Sequence, residues 1–94
     1  MTPLDPDPFH VEYDIEATNG LVEAYAAYFP SRSGRRVTQA ERILAALLED
    51  DPENNGKHHA EGLYRIVVSP LVAFYVIHEA ARVVRVIGIG YFKV

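Results

Sequence analysis

The sequence contains no cysteine. A disulfide framework, a thiolate metal site and a thiol redox centre are therefore excluded. No apolar run approaches the ~20 residues that are needed to cross a bilayer, and the N-terminal segment has neither the basic start nor the apolar stretch of a signal peptide. These absences predict a cytoplasmic protein without a membrane partner.

Positive charge is also scarce. Nine lysine and arginine residues face thirteen aspartate and glutamate residues, which gives a formal net charge of −4. An acidic chain repels nucleic acid at long range, so this balance weighs against a broad nucleic-acid interface. A net negative charge is still compatible with a local basic patch that binds RNA.

Length and composition predict one globular domain. A chain of 94 residues, of which 49% are hydrophobic, can bury a single modest core. Proline and aspartate dominate residues 1–8, which we expect to form an extended, solvated tail. The domain should then cover residues 9–94.

Two hydrophobic periodicities follow the tail. Apolar and polar side chains alternate from Phe9 to Ile15, which predicts a first strand at about residues 9–14. A helical pattern comes next, with Asp14 or Thr18 as its cap and Pro30 as its end. The apolar face predicted for this helix consists of Leu21, Val22, Tyr25, Ala26 and Phe29.

A second helix is predicted after the polar segment at residues 31–34. Thr38 and Glu41 have the spacing of a capping box, and an earlier start near Ser33 also fits the sequence. Acidic residues 49–51 help to end this helix, because its C-terminal dipole favours cations, and residues 52–56 are predicted to form a loop. The predicted apolar stripe consists of Ala40, Ile43, Leu44, Leu47 and Leu48.

Three β-rich runs joined by short connections occupy residues 62–93 and predict an antiparallel meander. In the first run Arg65 falls on one side and Ile66 on the other, and Pro70 fits a tight connection or a sheet edge. The predicted fold class is α+β: a strand, two helices and a three-strand meander, with the helices on one face of a small antiparallel sheet. Strict alternation would place Val83, Arg85, Ile87, Ile89 and Tyr91 on one face of the last strand.

Three segments of the meander resemble known proteins. They read Gly-Leu-Tyr-Arg-Ile at residues 62–66, Pro-Leu-Val-Ala-Phe-Tyr at 70–75 and Val-Arg-Val-Ile-Gly-Ile-Gly-Tyr-Phe-Lys at 84–93. Together with the order of elements, these segments resemble the RelE/ParE superfamily of toxins from bacterial toxin–antitoxin (plasmid stabilisation) modules. The resemblance implies a toxin that a cognate antitoxin neutralises by wrapping an extended segment around it.

The resemblance also implies two kinds of target. Relatives of the RelE branch cleave messenger RNA on the ribosome without a metal or other cofactor, whereas relatives of the ParE branch poison DNA gyrase. A third alternative is a homologue without toxicity that serves as an interaction module. A homodimer is a further alternative, because the exposed edges of a small sheet can pair with another chain.

Carried over to this sequence, the nuclease reading assigns catalytic roles to Arg65, Tyr91, Lys57 and Lys93. Fixed cations would stabilise charge at the scissile phosphate and the phenol would assist proton transfer, so Arg65 and Tyr91 must share one concave face. The chain departs from the superfamily where an arginine is common, since Val72 or Ala73 stands there. The alternative for Arg65 is a surface arginine paired with Glu12 or Glu61.

Other polar clusters suggest weaker candidates. His58 and His59 should point apart on an extended chain, so they make a poor metal pair, although with Lys57 they could contact a phosphate. The densest positive patch lies between the two helices and could bind nucleic acid or an acidic partner. It consists of Arg32, Arg35 and Arg36. Gly88 and Gly90 lie on a strand and indicate a bulge or a close backbone approach.

Overall fold

The structure is a computed structural model that describes residues 7–28 and 34–92. In chain order its elements are β1 (His10–Tyr13), α1 (Ile15–Tyr28), α2 (Gly34–Asp50), α3 (Pro52–Asn55), β2 (Lys57–Ala60), β3 (Leu63–Val68), β4 (Leu71–His78) and β5 (Val83–Tyr91). Some predicted features lie outside the described residues. They are most of the N-terminal tail, Phe29, the helix end at Pro30, Arg32, Ser33 and Lys93.

The five strands form one sheet in the order β1-β5-β4-β3-β2. β1 runs parallel to β5, and the other neighbouring strands are antiparallel. The predicted meander is confirmed as β3, β4 and β5, with Pro70 in the tight connection between the first two. Helices α1 and α2 cover one face of the sheet, as expected for the α+β class. No helix in the described ranges is long and apolar enough to cross a membrane.

The segment between α2 and β3 differs from the prediction. Residues 52–56 are not a simple loop, because Pro52 to Asn55 form the single turn α3. Asp51 caps this turn, and its carboxylate accepts a hydrogen bond from the backbone N–H of Asn54 at 3.3 Å. Residues 57–60 then form the edge strand β2, which the sequence analysis did not predict.

Helix α1 begins directly after Asp14, whose carbonyl accepts from the backbone N–H of Thr18 at 3.0 Å. The predicted apolar face of this helix is partly wrong: Leu21 and Tyr25 pack partly buried against the core, but Val22 and Ala26 are exposed. Its buried side chains are Ala17, Ala24 and Tyr28, whereas Val22 is 61% exposed. The helix buries its small residues because it lies directly on β5, and larger side chains would hold the two elements apart.

Helix α2 begins at Gly34, so the earlier of the two predicted starts is confirmed and the capping box is wrong. Thr38 lies inside the helix, where its hydroxyl donates to the Gly34 carbonyl at 3.4 Å. Glu41 instead accepts a hydrogen bond from the Tyr25 hydroxyl of α1 at 2.6 Å. The stripe is rotated slightly from the prediction, since Ile43 is exposed. The buried positions are Val37, Ala40, Leu44 and Leu48.

The two faces of the sheet have different surroundings. We call the face that packs against α1 and α2 the covered face, and the opposite face the open face. On β3 the prediction holds, because Ile66 is buried on the covered face and Arg65 is exposed on the open face. The largest buried side chain of the sheet is Tyr75, which lies in the centre of the covered face.

A bulge in β5 changes which side chains share a face. The pairing passes from Phe74 with Gly88 directly to Tyr75 with Val86, so Ile87 has no partner on β4. Alternation therefore shifts by one residue at this point, and the predicted common face of β5 is wrong. Arg85 and Ile87 lie on the open face, whereas Ile89 and Tyr91 lie on the covered face. Gly88 borders the bulge, in agreement with the sequence-based prediction of a bulge at this glycine.

Candidate functional site

A row of side chains crosses the open face from β2 to β5. Lys57 pairs with Arg65, Arg65 with Phe74, and Phe74 with Gly88. The next residues along β3 and β4 are buried on the covered face, so the members of this row point away from the helices. The row brings together two of the four residues predicted to act in a nuclease, Lys57 and Arg65.

The Lys57–Arg65 pair is electrostatically uncompensated. Like charges directly opposite each other on antiparallel strands repel and destabilise the pairing. Within the described part of the chain, neither side chain forms a salt bridge or hydrogen bond, so the predicted pairing of Arg65 with Glu12 or Glu61 is wrong. The two cations line a shallow hollow of about 220 Å³ together with Asn55, Gly56, Ile66 and Val67. This hollow can accept an anionic group.

The histidines of β2 point to opposite sides of the sheet, as the sequence indicated. The His58 ring meets Tyr64 edge-on with centroids 5.3 Å apart, and the His59 ring meets Phe74 at 5.2 Å. Among residues 7–28 and 34–92, no group of three or more histidine and carboxylate side chains is arranged to hold a metal ion. Because the His59 ring contacts Phe74, which pairs with Arg65, His59 adds a second aromatic ring to the open face beside Arg65.

Tyr91 is separated from this row. It pairs with the buried Leu71, and its ring meets the Tyr28 ring of α1 edge-on with centroids 6.4 Å apart. Tyr91 thus lies on the covered face and Arg65 on the open face, so the shared concave face that the nuclease reading requires is not formed by these two residues. Lys93, the fourth predicted residue, lies outside the described part of the chain.

A third cation on the open face is partly neutralised. Arg85 lies opposite Glu12 of β1, and its Nε is 3.4 Å from Oδ1 of Asp14. Both members of the ion pair are well exposed, which makes the interaction weak. The predicted patch between the helices lies elsewhere, with Arg35 and Arg36 exposed in the first turn of α2.

Charge is distributed unevenly around the sheet. The open face has basic side chains on three strands, whereas the helices and their connection carry most of the carboxylates. These are Glu16, Glu23, Glu41, Glu49, Asp50, Asp51 and Glu53. The net charge of −4 therefore conceals a face that is locally basic.

Tyr75 fixes the connection that carries Lys57. Its hydroxyl donates to the Pro52 carbonyl at 2.6 Å, and its ring stacks on Tyr64. Burial, with smaller contributions from Tyr64 and Asp51, raises the pKa of Tyr75 to about 12. A β-carbon added at Gly56 would lie 1.8 Å from this hydroxyl, so any larger residue here would have to displace the buried Tyr75 ring. Tyr75 thereby places β2 beside β3.

The fold is shared with solved toxin–antitoxin structures. A chain of the RelBE2 toxin–antitoxin complex from Mycobacterium tuberculosis matches with a TM-score of 0.74 and 16% identity, covering 94% of this chain and 95% of that one. A chain of the ParDE system from P. aeruginosa matches with a TM-score of 0.68 and 12% identity over 90% and 97%. The isolated E. coli RelE toxin matches with a TM-score of 0.53 and 18% identity over 92% and 86%.

These similarities confirm the predicted fold class, and the chain has the RelE/ParE toxin fold. The likeness extends over nearly the whole of each chain. No protein-family model matches the sequence. No curated protein sequence matches it either. At 12–18% identity, these solved structures establish the architecture of the chain.

Proposed function

We propose that this protein is the toxin component of a bacterial type II toxin–antitoxin module and acts in the cytoplasm, where a protein antitoxin neutralises it. The observation that carries the proposal is the similarity over at least 90% of the chain to structures from both the RelBE and the ParDE systems. The first of these structures is a toxin–antitoxin complex and the second comes from a toxin–antitoxin system, which supports a cognate antitoxin as the partner.

The open face supplies a working surface for such a toxin. Lys57 and Arg65 are adjacent and directed away from the core, and neither pairs with a carboxylate of residues 7–28 or 34–92. Side chains that violate a local pairing rule without structural compensation are typical of functional sites. A target or partner with an anionic group would relieve the repulsion between them.

We expect tightly controlled expression of this chain alone in a bacterial host to arrest growth, and Arg65→Ala to abolish or strongly weaken the arrest. Arg35→Ala is the matched control, because it removes an exposed arginine from the first turn of α2, away from the open face. Colony counts after induction, with soluble protein quantified, measure the effect. Soluble wild-type protein without growth arrest would contradict toxicity. Arrest by wild type and Arg65→Ala alike would place the toxic surface elsewhere.

The second candidate function is a ribosome-dependent mRNA endonuclease of the RelE branch. The adjacency of Lys57 and Arg65 favours it, because two fixed cations can hold a phosphate and stabilise charge that develops there. Mapping of mRNA 5′ ends after induction should then reveal cleavage that Arg65→Ala and Lys57→Ala remove. Tyr91→Phe should retain cleavage, because Tyr91 faces α1.

Other targets give different readouts. Poisoning of DNA gyrase would appear as inhibited supercoiling of plasmid DNA without cleavage of mRNA. A non-toxic interaction module or homodimer would leave growth unchanged, and light scattering at high protein concentration would detect the dimer.

A further inference from the structure

We propose that the antitoxin docks on the open face through a segment that combines apolar side chains with a carboxylate, and that this carboxylate pairs with Arg65 and Lys57. This inference rests on the proposed function and goes beyond it by assigning the docking surface and the chemistry of the segment that covers it. The apolar character of the face, its unpaired cations and the geometry of its central row support the assignment.

The open face carries more apolar side chains than a sheet face that contacts only water normally does. A sheet with helices on one face normally alternates apolar residues inward and polar residues outward. β4 instead carries Val72, Phe74 and Val76 on its open side, and the strands beside it add Val67 and Ile87. Val67 is 51% exposed. Val72, Phe74 and Val76 are half-buried, so the most exposed apolar side chains of this face are Val67 and Ile87, which is 36% exposed. Exposed apolar side chains grouped on one face indicate a contact surface.

Charge complementarity identifies the polar part of the occupant. Lys57 and Arg65 are cross-strand neighbours with no partner among the described residues, so their mutual repulsion is unrelieved in the free protein. A carboxylate inserted between them would accept charge-assisted hydrogen bonds from both. Most of the described carboxylates lie on the helices and their connection, and none of them forms an ion pair with Lys57 or Arg65.

The side chains around Lys57 and Arg65 favour a protein segment over RNA as the ligand of the open face. Single-stranded RNA is usually held by aromatic platforms on which bases stack. Here the Phe74 ring is already met by the His59 ring, and the neighbouring open-face side chains are valines and an isoleucine. Aliphatic side chains pack well against apolar side chains of another protein and stack poorly on bases.

The row also sets a spacing within the occupant. Strands lie about 4.8 Å apart, so about 14 Å separates Lys57 on β2 from Gly88 on β5. A β-carbon at Gly88 would meet nothing within 4 Å, which leaves room beside Phe74 for an incoming side chain. An extended segment covers this distance in about four residues. We therefore expect a carboxylate about four residues from a large apolar side chain.

Two exposed valines provide a matched test. The chain is co-expressed with the product of the open reading frame adjoining its gene, and the affinity of the purified pair is measured by titration calorimetry. We expect Val67→Glu, on the open face, to weaken binding by ~10-fold or more. Val22→Glu, which adds the same charge on the outer face of α1, should change it less than ~2-fold. Thermal unfolding of each variant alone verifies that it is folded.

A charge-reversal arm tests the carboxylate. Arg65→Glu should weaken binding by ~10-fold or more, whereas Arg35→Glu should not. Replacing the partner's critical acidic residue by lysine should restore binding to the Arg65→Glu variant. Rescue of this kind requires that the two groups meet in the complex, and a purely structural effect of Arg65→Glu would not produce it.

The outcomes separate this inference from the function on which it rests. A stable complex that Val67→Glu and Arg65→Glu leave intact would overturn the docking assignment while the toxin proposal stands. If the same variants then abolish mRNA cleavage, the open face serves RNA. Absence of both a complex and growth arrest would overturn the proposed function, and the docking surface with it.

Discussion

Gly20→Ala will lower the free energy of unfolding by about 3 kcal/mol, the upper part of the range for an overpacked core. A β-carbon at Gly20 would lie 1.9 Å from the carbonyl oxygen of Ile89 on β5. The obstructing atom belongs to the backbone, so no side-chain rotation relieves the clash. Helix α1 must move away from β5, and the contacts made by its buried alanines are lost with it.

The sign of this effect is opposite to the usual one. In an unconstrained helix interior, alanine is more favourable than glycine by up to about 1 kcal/mol. Gly34→Ala is the control, because Gly34 is the first residue of α2 and, among the described residues, the nearest atom to its added β-carbon is the Tyr28 carbonyl oxygen at 3.9 Å. We expect Gly34→Ala to be neutral or mildly stabilising. Urea unfolding followed by circular dichroism measures both, and equal stability of Gly20→Ala and wild type would contradict the close α1–β5 packing.

The sequence predicted the α+β layer and the meander because these depend on strong periodic signals. β3 alternates cleanly, and Arg65 was correctly placed opposite Ile66. β2 was missed because Lys-His-His-Ala has no apolar alternation, and all four of its residues are exposed at the sheet edge. Its pairing with β3 depends on the α3 turn and on Tyr75, which lies far away in sequence.

The errors in α1 and β5 have a common physical origin. Hydrophobic periodicity gives most weight to large side chains, so it selected Val22 rather than Ala17 and Ala24 as the buried face. The contact of α1 with the sheet includes two buried alanines, and periodicity underrates small residues of this kind. In β5 a bulge at Ile87 shifts the alternation, and no residue pattern fixed its position beyond the neighbouring Gly88.

The candidate site was predictable only in part. Arg65 and Lys57 could be proposed as functional cations, but their direct pairing required knowledge of β2. Tyr91 was assigned to the same site by resemblance, and the β5 bulge places it on the other face. The basic character of the open face could not be read from the net charge, because the acidic residues cluster on the helices.

The stability of the protein will fall as the pH rises from about 10 to about 12 because of Tyr75. Its side chain is fully buried, and its pKa is raised from the ordinary 10.0 to about 12. Below pH 10 the phenol is protonated in both the folded and the unfolded state, so its full contribution is present. Between these pH values the unfolded chain loses this proton and the folded chain retains it, which favours unfolding. The loss by pH 12 is ~2–3 kcal/mol.

Tyr75→Phe separates this effect from the ionisation of other groups. At pH 8 the variant should be less stable than wild type by about 1–2 kcal/mol, because the Pro52 carbonyl loses its hydrogen bond at 2.6 Å. Above pH 10 the variant has no phenol to ionise at this position, so the difference between the two proteins should shrink as the pH rises and vanish or reverse by pH 12. Urea unfolding of both proteins at pH 8, 10, 11 and 12 measures this convergence.

Parallel pH profiles would contradict the assignment, because they would mean that Tyr75 ionises equally in the folded and the unfolded state. Convergence would instead show that the hydroxyl stays protonated against Pro52 while the core is intact. The same contact holds the turn that leads into Lys57, so the variant should also weaken antitoxin binding at pH 8 without a change in any open-face side chain. The site on the open face thus depends on a hydrogen bond made on the covered one.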